Sequence, residues 1–280
     1  NSSVECVEVV AESNNNKVLN PNWTFWKTTE WDETLDLVAY NQESSTLTSI
    51  ETAGNNLSGV YTTNLRTGKK KLLYRNKTAD IAYALVDDEG AVYGARFLED
   101  GYPASVYFKG INKAKERRKI LSSKFPGSSI SVTALSDDET KATVSIRSDI
   151  NPGIFVLYNF ETNDITPLGK SWGSIDYQNL ARMEPISFPA KDGTTIYGYL
   201  TKSRKGDSKN SPTIVHPHGG PDAVQDVWGF NPFVQMLSSE GFNVLQVNFR
   251  GSGGHGLDFL RYIRGNWDGV LNDVFDGMRY

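Results

Sequence analysis

The sequence predicts an all-β region followed by an α/β region, and two observations support this division. Up to about residue 180, acidic turns and short strands recur roughly every 50 residues, a pattern typical of β-propeller blades. Residues 211–256 instead follow the order strand, glycine turn, helix, strand and second glycine turn. A strand, a crossover helix and a second strand form a βαβ unit, so a parallel sheet is predicted there.

The predicted blades are recognised by a repeated acidic turn. The letters LVDDEG at 85–90 return as LSDDET at 135–140, and an earlier copy, WDET, begins at Trp31. Because Asp hydrogen-bonds its own backbone at tight corners, we interpret these clusters as turns rather than as a metal-binding loop. After each turn come two runs of small and β-branched residues, which predict strands at 35–40 and 59–64, 91–97 and 104–109, and 141–147 and 153–159.

Residues 1–181 are therefore predicted to be the C-terminal blades of a β-propeller. An open set of blades would leave unpaired strand edges, so further blades are expected upstream. The densest basic cluster, KAKERRK at 113–119, interrupts this region. It is interpreted as a solvated turn, with a docking patch as the alternative.

Composition narrows the choice of partners and compartment. The net charge of −4 gives no electrostatic reason to expect nucleic acid, and no apolar run approaches the roughly 20 residues of a membrane span. The single cysteine, Cys6, excludes an internal disulfide framework and favours a reducing, cytoplasmic compartment, although secretion or membrane anchoring stays open. Glycosylation sequons at Asn1, Asn22, Asn56 and Asn76 are of a kind that arises by chance in an Asn- and Thr-rich chain.

The repeat stops near Trp172, and a hairpin opens the second region. Two strand-like segments, 186–190 and 194–200, flank a Lys-Asp-Gly turn. The boundary is placed near 182, so residues 182–280 are predicted to be the N-terminal portion of an α/β domain.

The crossover helix of the βαβ unit has clear end signals. Asn231 is the predicted N-cap, Pro232 occupies the first turn and Gly241 closes the helix. The spacing of Phe233, Met236 and Leu237, at i, i+3 and i+4, predicts that they form its buried face. The apolar segment 242–249 is the following strand, covered on both faces.

Two readings of the glycine turns are weak. The letters GSGGHG at 251–256 match the dinucleotide-binding pattern, and Asp276 lies about 20 residues on, but in a helical pattern rather than at the end of a strand. The chain's three histidines, His216, His218 and His255, lack a carboxylate or cysteine at ligand spacing that would complete a metal site.

The third reading is an oxyanion hole. A strand that ends in His218-Gly219-Gly220-Pro221 brings backbone N–H groups to a developing negative oxygen with no side chain in the way. This is the HGGG-type element of α/β-hydrolases, and it follows the third strand of a domain that begins with a hairpin. A merely structural Gly-Gly turn stays open as the alternative.

With these motifs in place, the chain resembles the prolyl oligopeptidase family of serine peptidases, in its acylaminoacyl-peptidase and dipeptidyl-peptidase-like branches. The resemblance rests on HGGP at 218–221, NFRGSGGHG at 248–256, and GNW at 265–267 with Asp273 beyond. The acylaminoacyl branch is the closer one, because His218 stands where other branches have a tyrosine whose hydroxyl serves the oxyanion.

The resemblance implies a β-propeller followed by an α/β-hydrolase domain that together cleave short peptides without a cofactor or metal. It assigns the oxyanion N–H to Gly219. His218, Gly220, Pro221 and Arg250 would support that turn.

One departure limits what this chain can do alone. The family's nucleophile lies in a G-x-S-x-G elbow after the next strand, and residues 182–280 contain no such pattern. Ser252, with His255 as its base, lies one strand too early. The triad is therefore expected beyond residue 280, and this chain alone is predicted to be inactive.

The expected partners are a short peptide substrate and the remainder of the same protein, namely further blades and the rest of the hydrolase domain; a homo-oligomer stays open. The alternatives are a propeller-based binding module with an inactive hydrolase remnant, and an α/β-hydrolase esterase.

Overall fold

The structure, a computed structural model, describes residues 2–7, 24–30, 34–205, 208–220 and 223–280. Antiparallel sheets fill the first part of the chain, and a mixed sheet with helices follows. The early acidic turn that begins at Trp31 and the site residue Pro221 lie outside the described residues. The fold agrees with the predicted order of β-propeller blades and the start of an α/β-hydrolase domain, whereas the boundary at 182 stays a prediction.

The blades are three antiparallel sheets, preceded by the pair β1 (Ser2–Val7) and β2 (Thr24–Glu30). The first sheet contains β3 (Leu35–Asn41), β4 (Thr46–Glu51), β5 (Gly59–Asn64) and β6 (Lys70–Arg75). The second contains β7 (Ile81–Val86), β8 (Val92–Glu99) and β9 (Tyr102–Tyr107), and the third contains β10 (Ser129–Leu135), β11 (Lys141–Ser148), β12 (Asn151–Asn159) and β13 (Ile165–Lys170).

The acidic clusters form turns, as interpreted. The Asp87 carboxylate accepts hydrogen bonds from the backbone N–H groups of Glu89 and Ala91, at 3.1 and 2.8 Å. In the next copy, the hydroxyl of Ser136 and the N–H and hydroxyl of Thr140 donate to Asp138 and hold the pKa of that carboxyl at about 2. The turn chemistry thus repeats together with the strands.

The basic cluster at 113–119 is not a solvated turn; that prediction was wrong. It begins helix α1 (Lys113–Lys124), which is N-capped by the Asn112 side chain. Lys, Arg, Glu and Ala all favour helices, and Leu121, fully buried, anchors α1 in the core of the third sheet. The charge of this cluster reveals neither its helix propensity nor the buried Leu121.

The mixed sheet has the strand order β14-β15-β17-β16. Its members are β14 (Met183–Pro189), β15 (Thr195–Thr201), β16 (Thr213–Val215) and β17 (Asn243–Asn248). The predicted hairpin is β14 and β15, and the predicted parallel pair is β16 and β17. A short 3-10 helix (Tyr177–Asn179) precedes the sheet, and α2 (Pro232–Ser239), α3 (Leu257–Arg261) and α4 (Trp267–Arg279) are its helices.

Helix α2 has the predicted N-terminus but buries a different face. Asn231 caps it, yet Phe233 and Met236 are about half exposed, at 48% and 50%. The buried face includes Gln235 and Ser238 instead. The amide of Gln235 exchanges two 2.8 Å hydrogen bonds with the backbone of Ala181, so polar anchors set the rotation of the helix.

The first blade contacts the α/β region at the start of α3. Gly256, which precedes α3, provides no side-chain cap. Asn56, from the loop between β4 and β5, accepts hydrogen bonds from Leu257 N–H at its carbonyl and from Asp258 N–H at Oδ1, at 2.9 and 2.8 Å. Asp80 Oδ2 accepts from Gly256 N–H at 2.8 Å. The helix is therefore capped by residues some 200 positions away in the chain.

Asn56→Ala removes the side-chain cap and is expected to lower the free energy of unfolding by about 1 kcal/mol. Chemical denaturation measures the loss. Asn55→Ala is the matched control, because its side chain bonds the carbonyls of Thr52 and Ala53 in its own turn. Equal losses in the two variants would contradict the capping role.

No helix in the described part of the chain is long and apolar enough to cross a membrane.

Candidate oxyanion site

The predicted oxyanion turn follows the C-terminal end of β16. His216 N–H donates to the carbonyl of Leu245 at 2.8 Å, which extends the pairing with β17 by one residue. The chain then departs at the C-terminal end of β16. In sheets with parallel strands, this is the end at which ligands bind.

Gly219 and Gly220 present unused backbone donors at this turn. Among the described residues, no atom accepts a hydrogen bond from either N–H group. A Cβ on Gly219 would meet no heavy atom within 4 Å, and Gly220 has a φ of +150°, which glycine tolerates best. The turn is therefore open to a ligand oxygen on the side of these donors.

His218 is held at both ring nitrogens. Its Nδ1 lies 2.7 Å from the carbonyl oxygen of Gly219, and its Nε2 lies 2.8 Å from Ser252 Oγ. The ring stacks on Phe249, with centroids 4.5 Å apart. The sequence suggested support for the turn by His218, but it did not identify Ser252 or Phe249 as its neighbours.

Arg250 lies in a buried ionic network. Its guanidinium donates to Asp273 at 2.6 and 2.9 Å and to Asp192 at 2.5 Å, and it stacks 3.7 Å from the Tyr262 ring centre. The hydrogen bond from Arg250 holds the pKa of Asp192 at about 2, and Asp273 raises the pKa of Arg250. Arg250 thus links the end of β17 to α4 and to the turn between β14 and β15, with its charge directed at Asp273 and Asp192, and its support of the oxyanion turn stays a prediction.

The second glycine turn is filled by the protein itself. A Cβ on Gly253 would lie 2.6 Å from the carbonyl oxygen of Ala223, and one on Gly254 would lie 2.3 Å from Oε1 of Gln225. The acidic residue of the dinucleotide pattern, Asp276, lies in α4 and accepts from Lys191 N–H at 2.8 Å. These contacts leave the turn no room for a pyrophosphate.

Ser252 is unsuited to be a nucleophile. It is fully buried, and its hydroxyl pairs with His218 rather than with His255. The His255 ring instead stacks on Tyr197, with centroids 4.0 Å apart. No group of three or more metal-ligating side chains occurs in the described part of the chain, so the three histidines do not assemble a metal site there.

Acid should destabilise the protein through His255. Burial lowers the pKa of His255 to about 4, with Asp80 opposing the shift. In the unfolded chain the pKa is about 6.5, so the unfolded state binds more protons between these values. Stability should therefore fall by roughly 2–3 kcal/mol from pH 7 to pH 4.5 through this group.

The variant His255→Phe keeps an aromatic ring against Tyr197 and is expected to lack this component. Denaturant unfolding at the two pH values measures the difference. The same loss in the variant and the wild type would exclude His255 as its source.

A G-x-S-x-G string does occur earlier in the chain, as GKSWG at 169–173. In a nucleophile elbow the serine lies on a strained strand-to-helix turn. Here the residue with positive φ is Trp172, at +53°, and Ser171 follows β13, the last strand of a blade. The string is therefore not an elbow.

The sequence also gave no signal for Asp226. This loop residue accepts from Gln246 Nε2 at 2.6 Å, and Asn248 Oδ1 accepts from its N–H at 2.8 Å. Burial raises the pKa of Asp226, and His218 and His216 partly oppose the shift. The carboxyl ties the loop after the oxyanion turn to β17.

Comparison with known proteins supports the resemblance to the prolyl oligopeptidase family. Residues 228–280 match the sequence profile of the prolyl oligopeptidase family. Dipeptidyl aminopeptidase BIII of Pseudoxanthomonas mexicana is 27% identical over 241 residues, which cover 82% of this chain and 34% of that protein. Acylamino-acid-releasing enzyme 1 of Oryza sativa is 39% identical over 75 residues, 26% of this chain and 10% of that protein.

The fold is also shared with solved structures. A prolyl endopeptidase structure superposes with a TM-score of 0.69 at 15% identity, over 93% of this chain and 38% of that one. The chain spans about a third of the length of the curated relatives that match most of it. By the profile match over residues 228–280 and by its curated relatives, this chain is similar to the prolyl oligopeptidase family, and it shares the fold of the solved structure.

Proposed function

We propose that the chain is part of a serine peptidase that hydrolyses short peptides by acyl transfer. The observation that carries the proposal is the pair of N–H groups at Gly219 and Gly220, at the C-terminal end of β16, for which the described residues provide no acceptor. Donors of this kind stabilise the oxyanion of a tetrahedral intermediate. The propeller portion would be residues 1–181 and the catalytic portion residues 182–280.

In the proposed reaction, a serine hydroxyl attacks the peptide carbonyl while a histidine removes its proton. The carbonyl oxygen becomes negative and is stabilised by the N–H of Gly219. The C–N bond then breaks, the amine leaves with the proton, and water releases the acyl group from serine. The serine, aspartate and histidine are proposed to lie in sequence that follows residue 280.

The open edge of β16 favours this arrangement. Among the described residues, β16 pairs with β17 alone, and its other edge is available to a further strand. A strand there would end beside the oxyanion turn. A nucleophile at the end of that strand would reach the carbonyl whose oxygen Gly219 stabilises.

Labelling with a fluorophosphonate tests the proposal. The complete gene product should be labelled and should hydrolyse acyl-peptides or short peptides faster than simple esters, whereas the 280-residue chain should remain unlabelled. Turnover of esters without peptides would indicate an esterase instead. Absence of labelling in the complete product would indicate a binding module and overturn the proposal.

A further inference from the structure

A buried arginine of the second blade points toward the third. Arg96 is in β8, where its neighbours Ala95 and Phe97 belong to the core that the first two blades share. Because successive residues of a strand point to opposite faces, the Arg96 side chain is directed to the other face of the sheet. There its Nη2 donates to Ser129 Oγ, at the start of β10, at 3.2 Å. The guanidinium therefore lies between the second and third blades.

Helix α1 brings a second arginine to the same place. The second sheet has three strands, and α1 follows its last strand, β9. Arg118 Nη2 donates to the carbonyl of Ile130, in β10, at 3.2 Å, so the helix bridges the two blades. The Nε of Arg118 is buried, and no described atom accepts its proton. This guanidinium thus retains a donor that the protein leaves unpaired.

The two arginines line a cavity of about 290 Å³ whose charge the protein does not neutralise. The described residues contribute no Asp or Glu to it, and its other polar lining residues are Ser105, Tyr107, Ser122 and Ser128. Burial lowers the pKa of Arg96, and Arg118 acts in the same direction, with Tyr83 in opposition. A buried cation without a negative partner is costly, so an anion between the two guanidinium groups would be stabilising.

The neighbouring arginine of α1 shows the contrast. Arg117 pairs with Glu139 at 2.9 Å and does not line the cavity. Among the described residues, neither Arg96 nor Arg118 forms an ion pair with a carboxylate; their hydrogen-bond acceptors are a hydroxyl and a carbonyl. The unpaired charge is therefore confined to the cavity.

A second cavity, of about 510 Å³, adjoins the first. Pro103, Gly127 and Ser128 line both cavities. The second is also lined by Tyr102 and Trp228, whose rings pack edge to face with centroids 6.0 Å apart. A ligand with its anionic group at the arginines has room for an apolar part against these rings.

We propose that Arg96 and Arg118 form a binding site for an oxyanion group, a carboxylate or a phosphate, carried by a small molecule. Guanidinium groups bind both kinds of group through paired N–H donors, and serine hydroxyls can donate further hydrogen bonds. The 290 Å³ cavity is built from the second and third blades and α1 alone. The inference therefore does not depend on the proposed peptidase function.

Calorimetric titration of the complete gene product tests the site with three probes: inorganic phosphate, phenylpropionate and its neutral analogue phenylpropionamide. Arg118→Gln is expected to weaken binding of the anion by about 10–100-fold, because charged hydrogen bonds are lost. Arg118→Lys keeps the charge without the forked donors and should lose less. Arg117→Gln removes the same charge from the same helix outside the cavity, so it is the matched control and should bind as the wild type does.

The probes also distinguish the two possible ligand groups. Binding of phenylpropionate but not of its amide would identify a carboxylate, and binding of phosphate alone would identify a phosphate. Binding of neither anion would overturn the proposal, as would equal affinity in the wild type and Arg118→Gln, or equal losses in Arg117→Gln and Arg118→Gln. A crystal structure with the bound anion needs no variant: the anion should lie between the two guanidinium groups, and an anion found elsewhere would also contradict the site.

Discussion

Replacing Gly219 by proline in the complete gene product is expected to lower kcat by about 10²–10³. Proline has no N–H, so the variant loses the donor that would stabilise the oxyanion. KM for a peptide substrate should change little, because the lost interaction forms in the transition state. Steady-state kinetics with the best substrate from the labelling experiments measures both constants.

Gly219→Ala is the matched control for this variant. It keeps the N–H, and its methyl group enters a space with no heavy atom within 4 Å. We therefore expect alanine to cost far less activity than proline. Equal losses in the two variants would show that the effect comes from backbone shape, and unchanged kcat in Gly219→Pro would remove Gly219 from the mechanism.

Replacing Asp273 by asparagine is expected to lower the free energy of unfolding by about 3 kcal/mol, because it breaks a buried ion pair and leaves one charge uncompensated. Asp273 is fully buried and accepts three hydrogen bonds from Arg250, two from the guanidinium and one from the backbone N–H. The other charged partner of the guanidinium, Asp192, has a half-exposed side chain and cannot replace that contact.

Denaturant unfolding of the 280-residue chain measures this loss. Asp268→Asn, an exposed change in the first turn of the same helix, is the matched control and should change stability by less than about 0.5 kcal/mol. A loss below about 1 kcal/mol in Asp273→Asn would mean that Arg250 is satisfied without Asp273.

Local chemistry in the sequence predicted the strands and turns well. Asp87 and Asp138 fold back on their own backbones, so the acidic turns could be recognised without knowledge of the rest of the chain. The N-terminus of α2 was predicted for the same reason, since Asn231 caps residues two and three positions away. Signals that act over a few residues remain visible in a single sequence.

Features that depend on distant contacts could not be predicted. The rotation of α2 is set by bonds between Gln235 and Ala181, which are 54 positions apart. The spacing rule assigns apolar residues to the core, so it predicts Phe233 and Met236 on the buried face of the helix. In α1, the many charged residues obscure the one buried apolar residue of the helix, Leu121, whose partners belong to the following blade.

In the candidate site, too, local features could be predicted from the sequence and distant contacts could not. The HGG motif predicts the candidate donor, the N–H of Gly219, because that chemistry belongs to three consecutive residues. The partner of His218, Ser252, is 34 positions away, and no local pattern in the sequence connects the two residues. Only the folded arrangement shows that this hydroxyl holds an imidazole.

The cap that Asn56 provides to α3 also bears on the choice of expression host. Asn56 begins an Asn-Leu-Ser sequon, and an oligosaccharide would be attached through Nδ2. That nitrogen lies 3.1 Å from the position a Cβ would take on Gly256, and Oδ1 accepts from Asp258 N–H. A sugar on Nδ2 would therefore add its bulk beside Gly256, next to the N-terminus of α3. Production without glycosylation keeps the contact between the first blade and α3 as the structure shows it.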